Sequence, residues 1–141
     1  MRKFLRAFGA RLRIDAAGVQ QDPSRWGSSR VPWLYGGYLA VAAAAADARV
    51  NALVVFYAGI PDARKSSLTR LPPLLALHGD ADRNVPPAEG TALVDKARAL
   101  GSAAQLVVYP GAGHGFDFDP TRDNAKDASA RALSFLQQQL Y

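Results

Sequence analysis

Three short, nearly unbroken apolar runs punctuate the chain, at residues 53–57 (Leu-Val-Val-Phe-Tyr), 74–77 (Leu-Leu-Ala-Leu) and 105–109 (Gln-Leu-Val-Val-Tyr). Each is bounded by turn residues: Asn51 and Gly59, then Pro72-Pro73 and His78-Gly79-Asp80, then Pro110-Gly111. Continuous short apolar runs are the mark of strands buried on both faces. Helical spacing fills the intervals. A helix opens at Gly36-Gly37 and runs to about Ala46, with an alanine run suited to close packing on a sheet. Another spans residues 86–100 and stops at Gly101. The last is capped by Asp123 and carries Ala128, Ala132, Phe135, Leu136 and Leu140 on its apolar side.

The N-terminal text is less regular. Residues 1–17 read as an amphipathic helix with Phe4, Leu5, Phe8 and Leu12 on one side, and Gly18 is a reasonable stop. Asp22-Pro23-Ser24 reads as a turn. Residues 26–35 (Trp-Gly-Ser-Ser-Arg-Val-Pro-Trp-Leu-Tyr) have no clear period, and Pro32 argues against a central strand there. Residues 60–73 read as a polar loop. Strands alternating with helices predict an α/β fold with a parallel sheet covered on both faces, in a single domain over residues 1–141. In such sheets the functional loops lie at the carboxyl ends of the strands.

Charge refines the picture only at the start of the chain. The net charge is +5, but residues 1–30 hold seven basic and two acidic residues while the rest holds ten of each. A basic arm could bind nucleic acid or a membrane surface; the blander account, a solvated helix face, is preferred, so neither partner is expected. Arg6, Arg11 and Arg13 interrupt any secretory h-region, and no apolar run reaches the ~18 residues needed to span a bilayer. The expected location is cytoplasmic. With no cysteine, disulfides, thiolate metal sites and a cysteine nucleophile are excluded, and with only His78 and His114 a multi-histidine metal site is disfavoured.

Two strand ends gather the residues with chemistry. After the second strand comes His78-Gly79-Asp80-Ala81-Asp82-Arg83-Asn84-Val85-Pro86, and after the third Gly111-Ala112-Gly113-His114-Gly115-Phe116. Neighbouring parallel strands would set Asp82 and His114 on one rim, where a carboxylate can hold an imidazole in one tautomer and the imidazole can shuttle a proton. Asp80 reads as a turn or N-cap residue, His78 as structural, Arg83 as solvated, and Phe116 to Asp119 as packing and loop residues rather than pocket walls.

These segments resemble the dienelactone hydrolase family of α/β-hydrolases. The matching text is residues 77–87 (Leu-His-Gly-Asp-Ala-Asp-Arg-Asn-Val-Pro-Pro) and 107–116 (Val-Val-Tyr-Pro-Gly-Ala-Gly-His-Gly-Phe), with 22–25, 36–40 and 49–57 also similar. The resemblance implies a partial α/β-hydrolase fold, a mostly parallel sheet of three to four strands flanked by helices, with the early strands absent. It implies Asp82 as the acid and His114 as the base of a nucleophile–His–Asp triad that hydrolyses small carboxylic esters or lactones. It implies no metal or organic cofactor.

One part of the pattern departs from the family. Its nucleophile stands in a Gly-x-Ser-x-Gly-Gly or Gly-x-Cys-x-Gly-Gly elbow. Alignment on Gly36-Gly37 puts Leu34 at the nucleophile position and Pro32 at the first glycine. Ser28 and Ser29 are the nearby hydroxyls, without the glycines of an elbow. Residues 26–33, back-translated with permissible codons and read one base earlier, spell Val-Gly-Val-Val-Ala-Gly-Ser-Leu, so a local reading-frame error would account for unlike text inside family-like text. The expectation is a hydrolase-type chain that is inactive or nearly so. The alternative is a non-catalytic remnant that binds a ligand or partner, with self-association through an open sheet edge.

Overall fold

The computed structural model describes residues 4–7, 10–15, 18–20 and 35–140, with side chains described for 36–62 and 64–139. They fall into two units, Met1–Val31 and Pro32–Tyr141.

The first unit corrects the predicted helix over residues 1–17. It is an antiparallel meander of β1 (Phe4–Ala7), β2 (Ala10–Asp15) and β3 (Gly18–Gln20). Leu5 pairs with Leu12 and Ile14 with Val19 in its register. The physical reason is visible in the text: Arg11-Leu12-Arg13-Ile14-Asp15 alternates with the period of a strand. Gly18, read as a helix stop, instead opens β3. The predicted turn at 22–24 and most of segment 26–35, Ser28, Ser29, Pro32 and Leu34 included, lie outside the described residues.

The second unit holds α1 (Tyr35–Ala46), β4 (Leu53–Phe56), α2 (Asp62–Lys65), β5 (Leu74–Gly79), α3 (Pro87–Ala99), β6 (Ala104–Tyr109) and α4 (Asp123–Leu140). Its strands and longer helices follow the predicted alternation, whereas the predicted loop over residues 60–73 contains the one-turn helix α2. The sheet is parallel, in the order β4-β5-β6. All six residues of β5 are buried because it has a partner on each side. In β6, by contrast, Gln105 and Val108 are exposed, which corrects the expectation that all three strands are covered on both faces. β4, the other rim strand among the described residues, has no exposed residue, so apolar sequence alone does not set how far a rim strand meets solvent.

The period-two alternation of the strands sorts the core into two layers. Leu53, Val55, Leu74, Ala76 and Ala104 meet Val41 and Ala44 of α1 and Leu93, Val94 and Ala97 of α3. Leu75, Leu77 and Tyr109 meet Ala128 and Phe135 of α4 on the other side. Helix ends are closed by backbone chemistry. The Ser102 N–H donates to Ala97 O and the Gly101 N–H to Arg98 O, a Schellman closure with Gly101 at φ 82°, so Gly101 does stop α3. The Arg70 guanidinium donates to the carbonyls of Ala44 (2.8 Å) and Val50 (2.9 Å), tying the end of α1 to the lead-in of β5. At α4, the Lys126 N–H donates to Arg122 O, which makes Arg122 the N-cap. Asp123 is therefore the first helical residue rather than the cap, and its carboxylate still favours the positive end of the helix.

Candidate active site

The loops after β5 and β6 are laced together before any functional side chain is placed. The Asp80 N–H donates to Tyr109 O and the Ala81 N–H to Ala112 O. The Gly111 N–H donates to Asp80 Oδ1 at 2.6 Å, so Asp80 is a strut between loops. Gly79 lies so close to the Ala112 carbonyl that a Cβ there would overlap it. Two strand ends held this tightly act as one rigid rim.

On that rim Asp82 and His114 meet. Asp82 Oδ2 accepts from His114 Nδ1 at 2.9 Å. Asp82 Oδ1 accepts the backbone N–H groups of Asn84 (2.8 Å) and Val85 (2.9 Å), an Asx-type turn that spends one oxygen on the loop and leaves the other for the ring. Burial alone would raise the Asp82 carboxyl. The Val85 N–H, the His114 ring and the Asn84 N–H together overcome it and hold the group below the usual carboxylate value. An acceptor-only partner fixes the His114 tautomer: Nδ1 carries the proton, and in the neutral ring Nε2 is a bare lone pair. Among the described residues Nε2 has no partner, and the His114 side chain keeps 17% of its surface exposed. Gly115, at φ 74°, lets the loop turn directly after the ring.

His78, expected to be structural, is 1% exposed at the end of β5. Its Nε2 lies 3.0 Å from Val85 O and 3.5 Å from Asp82 Oδ2. Phe116 is a core residue, its ring centroid 4.8 Å from that of Tyr109. Asp119 accepts from Thr121 in its own loop, and Arg83 is exposed. Phe118 is 70% exposed beside the site.

Sequence reasoning missed Tyr57. It follows β4 at φ 39°, a conformation that costs a non-glycine residue about 1–2 kcal/mol, and its ring centroid stands 4.2 Å from that of His114. Burial, with the Asp117 and Asp82 carboxylates nearby, pushes its hydroxyl well above the ordinary tyrosine range. The available signal was its place at the carboxyl end of an apolar run, the same signal that singled out Asp82 and His114. A cavity of about 320 Å³ lies elsewhere, between α1 and the 60–69 segment, lined by Tyr38, Val41, Ile60, Arg64 and Leu68.

Comparison with known proteins bears on the family and the fold. The dienelactone hydrolase family matches residues 22–140. A protein assigned as a carboxymethylenebutenolidase in Methylorubrum extorquens is 30% identical, covering 80% of this chain and 40% of that protein. Its counterpart in Escherichia coli K12 is 28% identical, with 80% and 43% covered. The crystal structure of a protein assigned as a dienelactone hydrolase from Klebsiella pneumoniae superposes with a TM-score of 0.62 at 26% identity, covering 74% of this chain and 49% of that one. Thermogutta terrifontis esterase 2, phosphoramylated by tabun, gives 0.54 at 26% identity, with 63% and 41% covered. The chain thus spans less than half the length of the curated relatives it matches.

Proposed function

The chain belongs to the dienelactone hydrolase family, and from that premise we propose that Asp82 and His114 are the acid and base of a nucleophile–His–Asp relay for hydrolysing small carboxylic esters or lactones. The observation that carries this reading is the 2.9 Å bond from His114 Nδ1 to Asp82 Oδ2, made at the carboxyl ends of adjacent parallel strands. It leaves His114 Nε2 as the proton acceptor. In such a relay Nε2 removes the proton of an attacking hydroxyl, the carboxylate stabilises the imidazolium that forms, and the proton passes to the leaving alkoxide. Water then repeats the sequence on the acyl intermediate. The names of the relatives and the esterase among the structural neighbours support the same substrate class.

As encoded, the attacking group is missing. Leu34 stands at the nucleophile position, and loss of the nucleophile alone typically removes on the order of 10⁶ in kcat. The chain is therefore inactive or nearly so, with its acid and base still paired. A p-nitrophenyl acetate assay tests both halves. Hydrolysis at the buffer rate is expected. Turnover abolished by His114→Ala would overturn the inactivity and keep the relay; turnover indifferent to both His114→Ala and Asp82→Asn would overturn the relay.

The same Leu34 favours a second reading, a non-catalytic module that binds a ligand or partner. Among the described residues β4 and β6 each pair on one side only, and an unpaired edge invites self-association. A monomer by size-exclusion chromatography would count against that version.

A further inference from the structure

We propose that His78 is a positioning residue for the Asp82–His114 pair, gripping the Asp82–Val85 loop from below, and that Gly90 of α3 is the seat that lets its ring fit. This rests on the reading of Asp82 and His114 as acid and base, and adds a member that no part of that reading needs.

The geometry argues it in three steps. First, both neighbours of His78 Nε2 are acceptors: Val85 O at 3.0 Å and Asp82 Oδ2 at 3.5 Å. Nε2 therefore carries the proton and donates to Val85, with Asp82 as a weaker second acceptor. Second, the Val85 residue is held from both ends. Its N–H donates to Asp82 Oδ1 and its carbonyl accepts from His78, so the ring fixes the turn that aims Oδ2 at His114. Third, the opposite edge of the ring is sealed. His78 Nδ1 is buried without a partner among the described residues, and a Cβ added at Gly90 would stand 2.6 Å from it. Any side chain at 90 would collide with the ring and force it to move.

Two described groups besides the Val85 carbonyl face the His78 ring. From its own loop it meets the Asp82 carboxylate, and from α3 it meets Gly90, which brings no charge. A ring in this place cannot exchange protons with substrate; it acts through Asp82.

The test follows the His114 ring N–H signals by NMR at one fixed pH, with thermal melting to confirm folding. His78→Leu keeps the bulk and removes the donor. It is expected to move the low-field Nδ1–H signal of His114 upfield and to broaden it, as the carboxylate disengages and the proton exchanges faster with water. Gly90→Ala is expected to shift the signal in the same direction. His78→Gln places an N–H donor at the same reach and should restore the signal. An unchanged His114 signal in folded His78→Leu and Gly90→Ala would overturn the proposal, and if His78→Leu does not fold, Gly90→Ala decides it. Asp82→Asn separates the two levels. If it moves the His114 signal while the His78 and Gly90 variants do not, this inference alone fails; if it too leaves the signal unchanged, the acid–base pairing fails with it.

Discussion

One carboxylate serves two histidines, and their surroundings differ in nearly every respect. His114 sits above Asp82 on a glycine-rich loop, 2.9 Å from Oδ2, with 17% of its side chain exposed. His78 sits below at the end of the central strand, 3.5 Å from the same oxygen and 1% exposed. Each ring donates one proton to a fixed acceptor and keeps one bare nitrogen. For His114 that nitrogen is Nε2, on a side chain that keeps 17% of its surface exposed. For His78 it is Nδ1, closed off against the backbone of Gly90. On the proposed reading, the same residue type is a proton carrier in one place and a strut in the other. What separates them is where the second nitrogen points, not how close the carboxylate lies.

The sharpest way to break this contrast is to truncate each ring and measure stability by urea unfolding. His78→Ala should cost about 3 kcal/mol, because it opens a dry cavity and leaves the Val85 carbonyl without a donor. His114→Ala should cost under about 1 kcal/mol, since water can reach Asp82 Oδ2 once the partly exposed ring is gone. Equal costs would mean that both rings are structural. A smaller contrast lies in the glycines. At Gly90 an added Cβ meets a confined ring at 2.6 Å. At Gly115 it meets the Phe118 ring at 2.8 Å, but Phe118 is 70% exposed and can swing away. Gly90→Ala is expected to lower stability by about 2 kcal/mol, and Gly115→Ala by about 1 kcal/mol from its left-handed backbone. A reversed order would show that the His78 pocket is looser than its packing implies.

Much of this arrangement was legible in the sequence. The apolar runs, the Gly101 stop and the pairing of Asp82 with His114 follow from local pattern and from strand ends that parallel neighbours bring together. The N-terminal meander was not, because a helical and a strand period both fit a short stretch such as residues 4–15, and hairpin pairing decided between them. The exposure of β6 was not legible either: Leu106-Val107-Val108 looks as apolar as Leu74-Leu75-Ala76, and only strand order distinguishes a rim from a centre. His78 reads from the sequence as a buried strand-end residue, and it is buried, but Gly90, which lies against its ring, is twelve positions away on a helix face where nothing in the spacing marks it.

The smallest effect expected is on pH dependence, and it isolates the carboxylate that the two rings share. Hydrogen bonds hold the Asp82 carboxyl below its ordinary value of 3.8 despite burial. A group whose folded value is depressed binds its proton more readily in the unfolded chain, so it stabilises the fold at every pH above the unfolded value. That contribution begins to fade as the pH drops toward 3.8 and is gone once the pH has passed below the folded value. Asp82→Asn removes the titration. The wild-type chain should therefore lose stability more steeply than Asp82→Asn as the pH falls below about 4. Parallel curves down to pH 2 would mean that Asp82 titrates alike in both states, and that neither histidine nor the Asn84 and Val85 amides holds it as the geometry describes.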